Sequence, residues 1–243
     1  MKKNNADAMK LLLLPLIFCV IFFNTLDSSW PIYIIGQICG SIFLAQAFIL
    51  MHEFGHNSFF SSTKLNTFFG WLICPFTFIP FYNWYKFHNL HHEWTGWRDK
   101  DPTTEGTFAE DLSEKQVKVV NFCWKYSIPI FSMGYRFGTY WSDDKAKRFL
   151  SEEDRSNHKL FKILFLFLLL YNVLINFSFF VAIFPAIYFS FIITDIVMLS
   201  QHAHIKMPVS NGEDVEHLKY IDQAQYSRSI KLPYNVGKYI FFN

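Results

Sequence analysis

Residues 160–200 read LFKILFLFLLLYNVLINFSFFVAIFPAIYFSFIITDIVMLS. Lys162 is the only basic residue in these 41 positions. Crossing the hydrocarbon core takes about 20 apolar residues as a helix. The stretch is therefore long enough for two spans, and the expected turn lies near Phe179 to Ile183. Working outward, Ile32 to Met51 is a further full-length span and Leu11 to Leu26 a shorter one. Lys2, Lys3 and Lys10 precede that first segment. No small-x-small cleavage pattern follows it, so it is expected to be an anchor and not a removed signal peptide. Phe68 to Tyr82 is also apolar, but it is short and carries Pro75 and Pro80. It is expected to be re-entrant or interfacial.

The composition agrees. Of 243 residues, 51% are hydrophobic and 30 are Phe, while only 17% are charged, well short of the usual quarter of a soluble domain. A net charge of +2 gives no footing for nucleic-acid binding. Cys19, Cys39, Cys74 and Cys123 are scattered without CxxC spacing, which excludes a disulfide framework and a thiolate metal site from the reading.

The expected fold is all-α, with about four transmembrane helices in two hairpins and a helical cap. With the N-terminus in the cytoplasm, the short outer loops hold no Lys or Arg, and all 22 basic residues fall on the inner side. A polar region over about residues 83–158 separates the hairpins, and a tail follows Gln201. Both are expected to be cytoplasmic. The whole chain, 1–243, is expected to form one domain.

Seven of the nine histidines lie in three tight groups, each expected at the cytoplasmic end of an apolar segment. His52 and His56 are four apart, and His88, His91 and His92 follow the i, i+3, i+4 spacing, so each group shares a helix face. Neutral imidazole suits iron, zinc, copper and nickel. Five or more histidines exceed what one structural zinc needs, so two metal ions are expected. His202 and His204 are two apart, and one of them is expected to be the ligand. His158 and His217 stand apart and read as capped or surface residues. Asp195 lies inside the last span, where a carboxylate is costly and could orient an imidazole. Trp71, Trp84, Trp94 and Trp97 read as an interfacial belt.

His52-Glu53-Phe54-Gly55-His56 is a literal HExxH, which alone suggests an intramembrane zinc metalloprotease with Glu53 as general base. The Leu-Asp-Gly element that would supply a third ligand is missing, and two histidine groups stay unexplained.

His88-Asn89-Leu90-His91-His92-Glu93-Trp94-Thr95-Gly96, followed by Asp99 and Asp101-Pro102, resembles the HxxHH, TG and DP signature of membrane fatty-acid desaturases. His52 to His56 is similar to their HxxxH box. Ser200-Gln201-His202-Ala203-His204 resembles their QHxH element, and Arg228 to Pro233 the segment before their final box. The resemblance implies two non-haem irons, held by His52, His56, His88, His91 and His92 with His202 or His204, and O2 as co-substrate. Asp99 and Asp101 would orient ligands or cap the helix. It further implies a lipid or acyl substrate and a ferredoxin or cytochrome b5 electron donor. The family pattern closes on another HxxHH soon after a phrase like Tyr239 to Asn243, and no histidine remains here for it. The chain is therefore expected to be C-terminally incomplete, with an inactive remnant as one alternative. A carotenoid or lipid hydroxylase or ketolase of the same metal chemistry is another.

Overall fold

The computed structural model describes residues 5–104, 112–202, 205–226, 228, 233–234 and 237. Among these the chain is helical, with no strand. The long helices are α1 (Asn5–Asn24), α2 (Trp30–Gly55), α8 (Glu152–Ile175) and α9 (Phe177–His202). These four are long and apolar enough to cross a membrane. Between α2 and α8 lie α3 (Thr63–Ile73), α4 (Phe81–Trp94), α5 (Glu114–Lys125), α6 (Ile130–Tyr135) and α7 (Asp143–Phe149). A short helix, α10 (Tyr220–Gln223), follows α9.

The break inside the long apolar stretch falls at Asn176, a few residues before the expected turn at Phe179 to Ile183. The backbone N–H of Asn176 closes α8 on the Asn172 carbonyl, and its own carbonyl accepts from Phe180. Hydropathy alone is blind to that change of course, because apolar residues, Ile175 and Phe177, flank it on both sides. The segment Phe68 to Tyr82 holds the end of α3, a 3-10 turn over Cys74–Thr77 and a left-handed Phe78. Pro75 and Pro80 restrict the helical path there.

The residues divide into two compact units. The first comprises Met1–Phe81, Lys162–Ile193 and Lys231–Asn243; the second comprises Tyr82–Phe161 and Thr194–Ile230. In the first unit, α1 packs on a Gly36-x-x-x-Gly40 face of α2. A methyl group at Gly36 would collide with Thr25, and one at Gly40 with the Phe22 ring. Small residues at that spacing let membrane helices approach closely. Phe22, Phe43, Leu44, Ile183 and Ala186 form the adjoining core, and Leu50, Phe54, Phe59 and Phe60 form another beneath the first histidine pair.

Pro185 sits inside α9. Proline has no N–H to offer, so the ladder of α9 has a gap on the Val181 carbonyl. Beside that gap the Gln37 side chain reaches across from α2. Its amide donates to the Ala182 carbonyl at 3.1 Å and its oxygen accepts from the Ala186 N–H at 3.0 Å. The Tyr33 hydroxyl donates to the same Ala182 carbonyl at 2.9 Å. Backbone groups loosened by proline inside a span need such partners, because lipid supplies none.

The second unit is stitched through buried and half-buried polar contacts. The Asn83 amide and His158 Nε2 both meet the Tyr140 carbonyl, at 3.1 Å each. Asp154 receives the Tyr82 hydroxyl and the Lys86 ammonium, each at 2.8 Å.

Candidate metal centre

The first histidine pair sits where α2 ends. His52 and His56 lie one turn apart with ring centroids 4.5 Å apart, and each brings a ligand nitrogen within 4.8 Å of the other's. Glu53 lies against this pair. One carboxylate oxygen is 3.1 Å from His52 Nδ1, and the other accepts from the Ser58 hydroxyl at 2.5 Å. A carboxylate on one ring nitrogen leaves the other available as a ligand. Glu53, an expected general base in the protease reading, is thus committed to its neighbours.

The second group lies on the last two turns of α4. The Nε2 atoms of His88 and His92 are 3.0 Å apart. Two metal–nitrogen bonds of about 2.1 Å at a right angle separate their nitrogens by about 3.0 Å. The pair therefore has the spacing of two imidazoles on one ion, as well as that of an N–H···N hydrogen bond. Trp84, one turn earlier, stacks on His88 at 4.4 Å and is 1% exposed. This corrects the belt expectation for Trp84, which is a packing partner of a histidine box.

His91 is buried and has the most elaborate support. Its Nδ1 lies 2.7 Å from Asp101 Oδ2 and 3.0 Å from the Thr103 hydroxyl. Thr103 in turn donates both its N–H and its hydroxyl to Asp101 Oδ1, at 2.8 Å each. Burial opposes charge on both partners, yet their mutual attraction and hydrogen bonds prevail. The His91 pKa is raised and the Asp101 pKa lowered. Thr103 was not singled out by the sequence; its signal is its place two residues beyond Asp101, where a short side chain closes a turn on the carboxylate.

Asp99 does something else. It accepts the N–H of Ser210 at 2.8 Å and the Ser210 hydroxyl. Burial pushes its carboxyl upward, but these bonds outweigh it and hold the pKa low. The Arg98 N–H donates to the Pro208 carbonyl and the Trp97 indole to the Glu216 carbonyl. The segment after α9 is therefore sewn to the end of α4. Gly96 makes the turn that follows α4 with φ +101°, and a side chain there would run into Leu218 and Tyr226 of the segment after α9. That is a physical reason for glycine in the Thr95-Gly96 phrase.

Asp195 is buried, and its carboxylate accepts from the Ser132 N–H at 2.5 Å, within electrostatic reach of Arg136. Its described partners are these groups and not an imidazole. The His202 side chain and all of His204 lie outside the described residues, as do most of Arg228 to Pro233 and all of Tyr239 to Asn243. His217 packs on Trp94 at 4.0 Å, and His158 is a core residue.

Helices long and apolar enough to span a bilayer, with histidine groups that could hold a metal ion, are the marks of a membrane protein with a candidate metal centre. The fatty acid desaturase family matches residues 28–243, and the chain belongs to that family. Among its relatives, a probable fatty acid desaturase of Sorghum bicolor is 33% identical over 108 residues, 43% of this chain and 26% of its own length. The Delta(12) fatty acid desaturase of Mortierella isabellina is 37% identical over 75 residues, 30% of this chain and 18% of its own. The sn-2 acyl-lipid omega-3 desaturase (ferredoxin) of Helianthus annuus is 31% identical over 112 residues, 44% of this chain and 23% of its own. The matched stretches thus span about a quarter or less of these relatives. No solved structure matches. The family match includes His52 to His56, and membership in it removes the ground for the protease alternative.

Proposed function

We propose that this protein introduces a double bond into a fatty acyl chain of a membrane lipid, using O2 and two non-haem irons. His52, His56, His88, His91 and His92 would hold the metals, with His202 or His204 as a further ligand. The observation that carries the proposal is the support beneath His91. A carboxylate and a hydroxyl on Nδ1 fix the tautomer that offers Nε2, as outer partners of metal-bound imidazoles do. The donors also fit the group: neutral imidazoles suit iron, and the His88–His92 nitrogens have the spacing of two ligands on one ion.

When bound, the irons supply activation of O2 and hydrogen removal from an unactivated C–H pair, chemistry beyond side-chain acids and bases. The protein's own residues prepare the ligands. Asp101 and Thr103 hold the His91 proton on Nδ1, Glu53 does so for His52, and Trp84 fixes the plane of the His88 ring. The N-terminus, the boxes and the segment after α9 would all face the cytoplasm, where a soluble electron donor can reach them. A relative whose name specifies ferredoxin supports that class of donor; cytochrome b5 is the other.

Expression in a desaturase-deficient host, with mass spectrometry of acyl chains and metal analysis of the purified protein, tests the proposal. Iron bound at the histidine boxes is expected, rising to about two ions per chain, with new double bonds, once a further HxxHH group joins this ligand set. Stoichiometric zinc without iron refutes it. Labelling of cysteines placed at Glu93 and Lys206 from opposite faces of the membrane refutes the topology.

A further inference from the structure

The buried Lys145 has no place in the reaction just described, and it lies in a costly position. It is 7% exposed and sits in the first turn of α7, the end of a helix that disfavours a cation. A buried ammonium needs hydrogen bonds to offset its lost hydration. Its Nζ donates to the Pro102 carbonyl at 2.5 Å and to the Thr139 hydroxyl at 3.3 Å. Pro102 is the middle residue of the Asp101-Pro102-Thr103 turn, whose two flanking side chains hold His91 Nδ1. Thr139 belongs to a π-helical turn, Arg136–Tyr140, a wide and uncommon backbone form that often marks functional regions. Leu or Met would fill the same space without the charge.

We propose that Lys145 is a positioning residue of the metal centre. Its ammonium clamps the Pro102 carbonyl and so sets the turn that aims Asp101 and Thr103 at His91. This rests on His91 being a ligand, as proposed above. Lys145 touches neither metal nor substrate. It acts through three successive links: carbonyl, turn and imidazole.

The test uses the whole protein in lipid nanodiscs, loaded with Fe2+ or with Co2+ as a spectroscopic probe. Compared are wild type, Lys145→Met, Lys145→Arg, Asp101→Asn and the Lys145→Met/Asp101→Asn double variant. Readouts are the rate of Fe2+ loss to a chelator, the visible Co2+ bands and the melting of the metal-free protein. Outer partners of a ligand typically change metal affinity by 10–100-fold. Lys145→Met is expected to release Fe2+ roughly tenfold faster, towards the lower end of that range. Its Co2+ bands should move in the same direction as those of Asp101→Asn, and Lys145→Arg should restore both. The double variant should be no worse than Asp101→Asn alone, because the two residues act through one turn. Unchanged metal loss in Lys145→Met, or an effect that simply adds to Asp101→Asn, overturns the inference. Should Lys145→Met not fold, Thr139→Val removes one acceptor of the ammonium, and the same faster or unchanged Fe2+ loss decides. Wild-type protein that takes up no Fe2+ sinks this inference together with the proposed function. Wild type that holds Fe2+ no better than Lys145→Met sinks the inference alone.

Discussion

Replacing Gln37 with Leu tests whether the contact beside Pro185 holds the first unit together. The side chain makes two hydrogen bonds to the α9 backbone, and Ala186 is fully buried. Loss of the donor arm leaves the Ala182 carbonyl still bonded to Tyr33. Loss of the acceptor arm is the graver of the two, because the Ala186 N–H faces apolar neighbours. Hydrogen bonds between membrane helices average about 0.6 kcal/mol each, or about 1.2 kcal/mol for two. A bared buried N–H costs about 1–3 kcal/mol. Gln37→Leu is therefore expected to destabilise by about 1–3 kcal/mol. Gln37→Glu, as a neutral acid inside the membrane, offers one donor and one acceptor and should cost much less. Reversible unfolding in mixed detergent micelles, followed by tryptophan fluorescence, measures both. Equal losses for the Leu and Glu variants, or a Leu loss below about 0.3 kcal/mol, would refute the contact as a stabilising element, being under half of one average bond.

Gly96→Ala should destabilise by at least the roughly 1–3 kcal/mol of a strained backbone residue, visible as a lower melting temperature, because its φ of +101° disfavours a side chain and Leu218 and Tyr226 fill the space. The Asp99 carboxyl has a lowered pKa in the folded protein. Its contribution is therefore present above the unfolded value, about 3.9, and lost as pH falls through the lower folded value. Hydrogen exchange of residues near Ser210 should accelerate in that acid range in wild type, and Asp99→Asn should flatten the response.

The spanning helices were legible because their signal is local: apolar length and the placement of Lys and Arg need no knowledge of partners. The histidine groups were legible for the same reason, since spacing within one helix places them on a face. Partners distant in sequence were not. Asp99 and Asp101 look alike as neighbours of one motif, yet Asp101 turns inward to His91, ten residues away, and Asp99 bonds Ser210, 111 residues away. Asp195 reads as a costly membrane carboxylate, and its acceptor role for Ser132 depends on a short helix, α6, 63 residues earlier. Gln37 is one polar letter in an apolar run, and its meaning comes from Pro185 on another helix. Glu53 illustrates a subtler failure: the HExxH pattern assigns it a base, while Ser58 and His52 occupy its carboxylate.

The sewing of residues 205–223 to the end of α4 has a consequence for biogenesis. The Ser210–Asp99, Pro208–Arg98 and Gln223–His92 contacts join segments that leave the ribosome far apart in time. Until the last span has been translated, the Asp99 carboxylate and the Arg98 N–H lack these partners and the end of α4 stands uncovered. Histidines His88 and His92 exist as a chemical group well before their surroundings close. Under the proposed metal role, uptake by a nascent chain would meet histidines whose supporting contacts from the segment after α9 have yet to form.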